Sequence, residues 1–107
     1  MPELAVPLQR KNPAVKKLAD AAPTLRSRYG VERMGIFGSF ARGEQQKGGD
    51  IDVLVDFAAG HATLKNLVGL AEYLEALFKR KVDLSTLEGL DRYIRENVEA
   101  EVIWVEG

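Results

Sequence analysis

The sequence predicts a two-layer α/β fold of the α+β kind, with a mixed sheet of about four strands and helices packed on one face. Three observations carry this. Helical and extended patterns alternate along the chain as α-β-α-β-α-β-α-β. The segment Ile51 to Phe57 alternates strictly, with Ile51, Val53, Val55 and Phe57 on one side and Asp52, Leu54 and Asp56 on the other, so one face is buried and the other partly polar. The segment from Leu64 to Phe78 repeats apolar residues at helical spacing, the mark of a helix lying on a sheet.

In chain order, residues 1–11 read as a flexible leader with prolines at positions 2 and 7, and residues 12–107 as a single domain. Asn12 followed by Pro13 is a helix-start signal: a capping side chain, then a proline where no backbone donor is needed. Ala14, Leu18, Ala22, Leu25 and Tyr29 continue at helical spacing to Gly30, and Pro23 inside that run predicts a kink or two short helices. Val31 to Phe37 reads as a strand, and Gly38-Ser39 turns the chain into a short helical stretch near 39–44. Residues 45–49, Gln-Gln-Lys-Gly-Gly, form a polar loop before the strand at 51–57.

Thr63 is placed to cap a helix reaching Phe78, with Leu64, Leu67, Val68, Ala71, Leu74, Leu77 and Phe78 as its apolar stripe. Lys81 to Thr86 is a short strand, Leu87 to Asn97 a last helix and Val102 to Val105 a last strand, with Trp104 expected to close the core.

Composition narrows the function. The 107 residues are 46% hydrophobic, enough for a core without staples, and they include no cysteine. Disulfides and thiolate metal sites are therefore excluded, and a reducing, cytoplasmic setting is expected. No apolar run approaches the ~18 residues of a membrane span, and the N-terminal residues lack the pattern of a secretory signal. With a net charge of −1 the chain offers no general attraction to nucleic acid, so an anionic ligand needs a local site.

Two features supply such a site. Gly38 lets the backbone approach a ligand, Ser39 adds a hydroxyl, and a helix starting there presents free N–H groups, a combination suited to phosphate but common in simple caps. Asp50 and Asp52 lie two apart at the start of a strand and so present their carboxylates to one side. Two like charges that close are costly without a cation between them, and oxygen ligands with open positions suit Mg²⁺. Asp83 lies between Val82 and Leu84. If those two face the core, Asp83 faces away from it and joins the other acids should its strand neighbour strand 51–57. Three acids can hold two divalent ions ~3.5–4 Å apart, the clamp for in-line nucleotidyl transfer.

Gly38-Ser39, ten intervening residues and Asp50-Ile51-Asp52 together resemble the signature of the nucleotidyltransferase superfamily that includes DNA polymerase beta. The stretch around it, with Asp83 as third acid, is similar to the minimal nucleotidyltransferases, a likeness spanning residues 14 to 105. The resemblance implies a polymerase beta-like fold, and it implies phosphate contacts from Gly38 and Ser39. It also implies Mg²⁺ ligation by Asp50 and Asp52, with Asp83 holding a second ion and helping to deprotonate the acceptor. It implies ATP as substrate and adenylyl transfer to a hydroxyl, a tyrosine of a partner HEPN toxin, which would make this chain the antitoxin of a type VII toxin–antitoxin pair, in a homo- or hetero-oligomer.

Two other functions fit the same residues: an antitoxin that neutralises by binding alone, and a transferase acting on a small molecule such as an antibiotic. The second would be expected to need a further domain or a dimer interface to hold its acceptor.

Other residues read more plainly. Arg42 is placed to reach a phosphate or an acidic partner, or else to pair with Glu44. Asp56 is too far along its strand to share a metal and reads as surface. His61 reads as exposed, Lys79-Arg80-Lys81 as a solvated helix end, and Arg92, Tyr93 and Arg95 as helix surface.

Overall fold

A computed structural model describes residues 13–38 and 50–105. The leader 1–11, the cap Asn12, the helical stretch 39–44 with Ser39, Arg42 and Glu44, and the loop 45–49 lie outside the described residues. The elements are α1 (Pro13–Tyr29), β1 (Val31–Phe37), β2 (Ile51–Phe57), α2 (Leu64–Phe78), β3 (Val82–Thr86), α3 (Arg92–Glu101) and β4 (Ile103–Val105).

Helix α1 begins on Pro13 and buries Ala14, Leu18, Ala21, Ala22 and Leu25. It runs through Pro23 as one element, so the division into two short helices does not occur. Pro23 is exposed, which puts the missing hydrogen bond on the solvent side, while Ala22 and Leu25 stay seated in the core on either side of it. Gly30, at φ 71°, ends the helix by donating its N–H to the Arg26 carbonyl at 3.1 Å.

The four strands lie in the order β3-β2-β1-β4. β1 pairs antiparallel with β2 and with β4, whereas β2 and β3 are parallel. A parallel neighbour demands a crossover, and α2 supplies it. Thr63 caps α2 as expected, its hydroxyl accepting from the Asn66 N–H at 3.1 Å. Lys79 closes the other end in a left-handed conformation.

Helices α1 and α2 cover one face of the sheet. Leu18, Leu25, Met34, Ile36, Val53, Val55, Leu70 and Leu74 meet there in the main core. The opposite face carries a smaller cluster of Leu54, Leu87 and Val98, with Phe37, Leu90, Val102 and Trp104 packed against it. Because side chains alternate along β2, Asp52 shares the face of Leu54 and lies on the sheet side away from α1 and α2.

Three expectations are corrected. In α2 the buried residues are Leu70, Leu74 and Phe78, while Leu64 and Val68 stand 75% and 50% exposed, so the core-facing stripe is rotated from the one read in the sequence. The last helix starts at Arg92 rather than Leu87, because residues 87–90 form a turn. There the Gly89 N–H donates to the Thr86 hydroxyl at 3.0 Å, and Leu87 is buried beneath α3. Trp104 packs on the smaller cluster rather than closing the main core, with the Arg33 guanidinium 4.0 Å from its ring centroid.

Candidate active site

The candidate site forms where three strands expose their ends: the starts of the parallel pair β2 and β3 and the finish of β1. The β2–β3 register sets Asp52 directly beside Asp83. That register is anchored by hydrogen bonds from the Ile51 N–H to the Lys81 carbonyl at 3.0 Å and from the Val82 N–H to Glu75 Oε2 at 3.4 Å. Val82 is buried and Leu84 packs on the main core, which turns Asp83 to the other face, toward Asp52. On the other flank β1 pairs Phe37 with Asp52 and so delivers Gly38 to the same place.

Gly38 has φ 73°, and a Cβ there would overlap Asp52 Oδ2. The left-handed backbone favours glycine, and any side chain there would push the Asp52 carboxylate aside. The Gly38 N–H donates to Glu101 Oε1 at 3.0 Å. Glu101 had no place in the sequence reading. The pairing of β4 with β1 brings it here: Ile36 lies opposite Ile103, so Glu101 at the end of α3 arrives beside Gly38, just past the end of β1. Strand order was the missing signal.

The carboxyl groups of Asp52 and Asp83 stand side by side on one face of the sheet, and like charges this close repel. Burial raises the Asp52 carboxyl above the ordinary aspartate range. The charge of Asp83 and the charges of Asp50 and Glu101 push in the same direction. Asp50, exposed one residue before β2, contributes its field but does not close a three-ligand cage with the pair: among the described residues no three His, Cys, Asp or Glu side chains converge on one point. Mg²⁺ fits this donor set, because it is commonly held by one or two carboxylates and completes its octahedron with water and substrate phosphates. Bound there, a cation would relieve the repulsion among these carboxylates.

The remaining residues take other roles. Asp56 pairs with Arg33 at 3.5 Å. His61 is exposed, with Nδ1 3.1 Å from the Ala59 carbonyl oxygen. Arg95 pairs with Glu99 at 3.2 Å and Arg92 with Glu96 at 4.0 Å along α3, whose Tyr93 is 74% exposed. Among the described residues no helix is long and apolar enough to cross a membrane.

Paired carboxylates on neighbouring strands beneath a glycine turn, on a four-stranded mixed sheet backed by two helices, define a domain built for phosphoryl or nucleotidyl transfer. The chain belongs to the nucleotidyltransferase domain family, whose model matches residues 15–105. It is 44% identical over 81 residues to the protein adenylyltransferase MntA of Thermococcus cleftensis, a match covering 76% of this chain and 81% of the relative. A solved structure described as a minimal nucleotidyltransferase superimposes with a TM-score of 0.74 at 36% identity, over 86% of this chain and 93% of that one. The MNT antitoxin in complex with a tri-AMPylated HEPN toxin of Shewanella oneidensis shares the fold. Its TM-score is 0.62 at 20% identity, over 87% of this chain and 72% of that chain. The polymerase beta-like expectation for the fold is met, and the chain is an enzyme of the nucleotidyltransferase class.

Proposed function

We propose that the protein transfers AMP from ATP to a hydroxyl of a HEPN-family toxin, a tyrosine by preference, and thereby acts as its antitoxin. The observation that carries this is the direct juxtaposition of Asp52 and Asp83 beside the Gly38 turn. It is supported by the 44% identity to a protein adenylyltransferase, and the fold shared with an antitoxin bound to an AMPylated toxin suggests the partner to test.

In this reading Asp50 and Asp52 would hold one Mg²⁺ and Asp83 a second ion. When bound, the ions neutralise the triphosphate and lower the pKa of the attacking hydroxyl. The Gly38 N–H, with Ser39 and Arg42 from the following segment, holds the phosphates. The acceptor oxygen bonds to the α-phosphorus, the bond from that phosphorus to the bridging oxygen breaks, and pyrophosphate leaves with the electron pair. The hydroxyl proton passes to the carboxylate of Asp83. Only interactions that strengthen as charge moves onto the leaving pyrophosphate accelerate the step.

The test is incubation of the purified protein with labelled ATP, Mg²⁺ and a HEPN-family toxin, the product of the neighbouring gene being the first candidate. Label should move to the toxin and vanish in the double variant Asp50→Ala, Asp52→Ala. Transfer that survives in the double variant overturns the site. A variant lacking all three acids that still rescues cells from the toxin overturns catalysis as the means of neutralisation.

A further inference from the structure

We propose that Glu101 is an autoinhibitory residue that occupies the Gly38 amide in the nucleotide-free protein, so that an incoming phosphate must displace it. The inference rests on the reading of Gly38 as a phosphate contact and adds a regulatory step to it. Glu101 Oε1 accepts the Gly38 N–H at 3.0 Å. A carboxylate oxygen on a backbone N–H is a charge-assisted bond of the kind a phosphate oxygen would make, and a single N–H directed along one line serves one acceptor well.

The placement is imposed by the fold rather than by a flexible side chain settling on a nearby donor. Glu101 is the last residue of α3, and the chain enters β4 two residues later, where Ile103 is fixed opposite Ile36. Glu101 therefore reaches Gly38 from a backbone held on both sides. Its charge also adds to those of Asp50 and Asp83 around Asp52. Four carboxylates at the mouth of a site for a polyanion oppose its entry, and Glu101 is the one that competes for the same donor. Withdrawal of Glu101 frees the amide and lowers the negative field together.

The experiment compares ATP binding by titration calorimetry in metal-free buffer for the wild-type chain, Glu101→Gln and Glu101→Ala. The Gln side chain keeps an acceptor for the Gly38 N–H but loses the charge, and Ala removes both. The expected order of affinity is Ala tightest, by about fivefold over wild type, with Gln between, since one hydrogen bond to a charged group is at stake. KM for ATP should fall in the same order. The Gly38 amide proton should shift upfield in Glu101→Ala without ATP, which reads the bond itself and establishes that the variant is folded.

The reverse order, with Ala weakest and Gln restoring the affinity, would mean that Glu101 supports the turn, and the inference would be overturned. Equal affinities with binding intact overturn it as well, leaving the phosphate reading of Gly38 standing. Absence of ATP binding in all three proteins overturns that underlying reading, and the inference with it.

Discussion

Asp52 and Asp83 stand directly beside one another in register on two parallel strands. Burial and the neighbouring charges of Asp83, Asp50 and Glu101 raise Asp52, so in the metal-free protein its carboxyl keeps a proton at a pH where the unfolded chain has released it. The fold thus gains from Asp52 below the ordinary aspartate range and loses that gain as pH rises through the raised value. Metal-free protein with Asp52→Asn should melt higher than wild type near neutral pH, by a few degrees at most, and the difference should shrink as pH falls below about 4. Thermal melts in a chelating buffer across that range test this. A variant melting lower than wild type at neutral pH would mean that the pair is not strained.

Gly38 is confined from two sides. Its φ of 73° is costly for any side chain, and a Cβ would overlap Asp52 Oδ2. Gly38→Ala should therefore lose about 1–2 kcal/mol of stability from the backbone alone. It should also lower adenylyl transfer by at least about tenfold, because the carboxylate that yields is the one proposed to hold metal, and each ~1.4 kcal/mol is a decade in rate. Chemical denaturation and a transfer assay under saturating Mg²⁺ separate the two effects. A variant that is destabilised but fully active would free Asp52 from any dependence on the turn.

Much of this was legible in the sequence, for identifiable reasons. The bounds of β2 follow from residues whose apolar positions alternate, those of β1 from apolar residues lying between Gly30 and Gly38, and α2 begins where Thr63 can cap it. The meeting of Asp52 with Asp83 was a conditional expectation, because it depends on which strand neighbours which, and pairing at a distance leaves no local mark. Glu101 was missed for the same cause: only the pairing of β4 with β1 reveals that it faces Gly38. Of the two outcomes that Pro23 signals, a kink or two short helices, the division into two does not occur. A local helix-breaking signal was overridden by burial of Ala22 and Leu25 around an exposed ring. The late start of α3 turns on hydrogen bonds around Gly89 that residue type alone does not announce.

The face of α2 that meets the sheet can be tested by two truncations of the same residue type. Leu70 is fully buried in the main core, whereas Leu64 is 75% exposed. Leu70→Ala should cost about 2–5 kcal/mol through lost transfer energy and the cavity left behind. Leu64→Ala should fall within about 0.5 kcal/mol of wild type. Denaturant midpoints at unchanged slope provide the comparison. Similar losses at both positions would restore the stripe read from the sequence.

The final prediction separates a carboxylate that belongs to the site from one that only shares its face. Asp56 lies on the same side of β2 as Asp52, but it is paired with Arg33 at 3.5 Å, and that guanidinium stacks on the Trp104 ring at 4.0 Å. Its charge is thus engaged four residues along the strand from Asp52, whereas Asp83 is aimed at Asp52. Asp83→Asn removes the proposed proton acceptor and a metal oxygen together, and should reduce transfer by about 10²-fold or more while leaving the fold intact. Asp56→Asn should cost no more than about 1 kcal/mol of stability, as partly exposed ion pairs do, and leave the transfer rate within about twofold of wild type. Single-turnover rates with saturating ATP and Mg²⁺ decide between them. Equal losses in the two variants would mean that the whole negative face, rather than the pair on β2 and β3, drives the reaction.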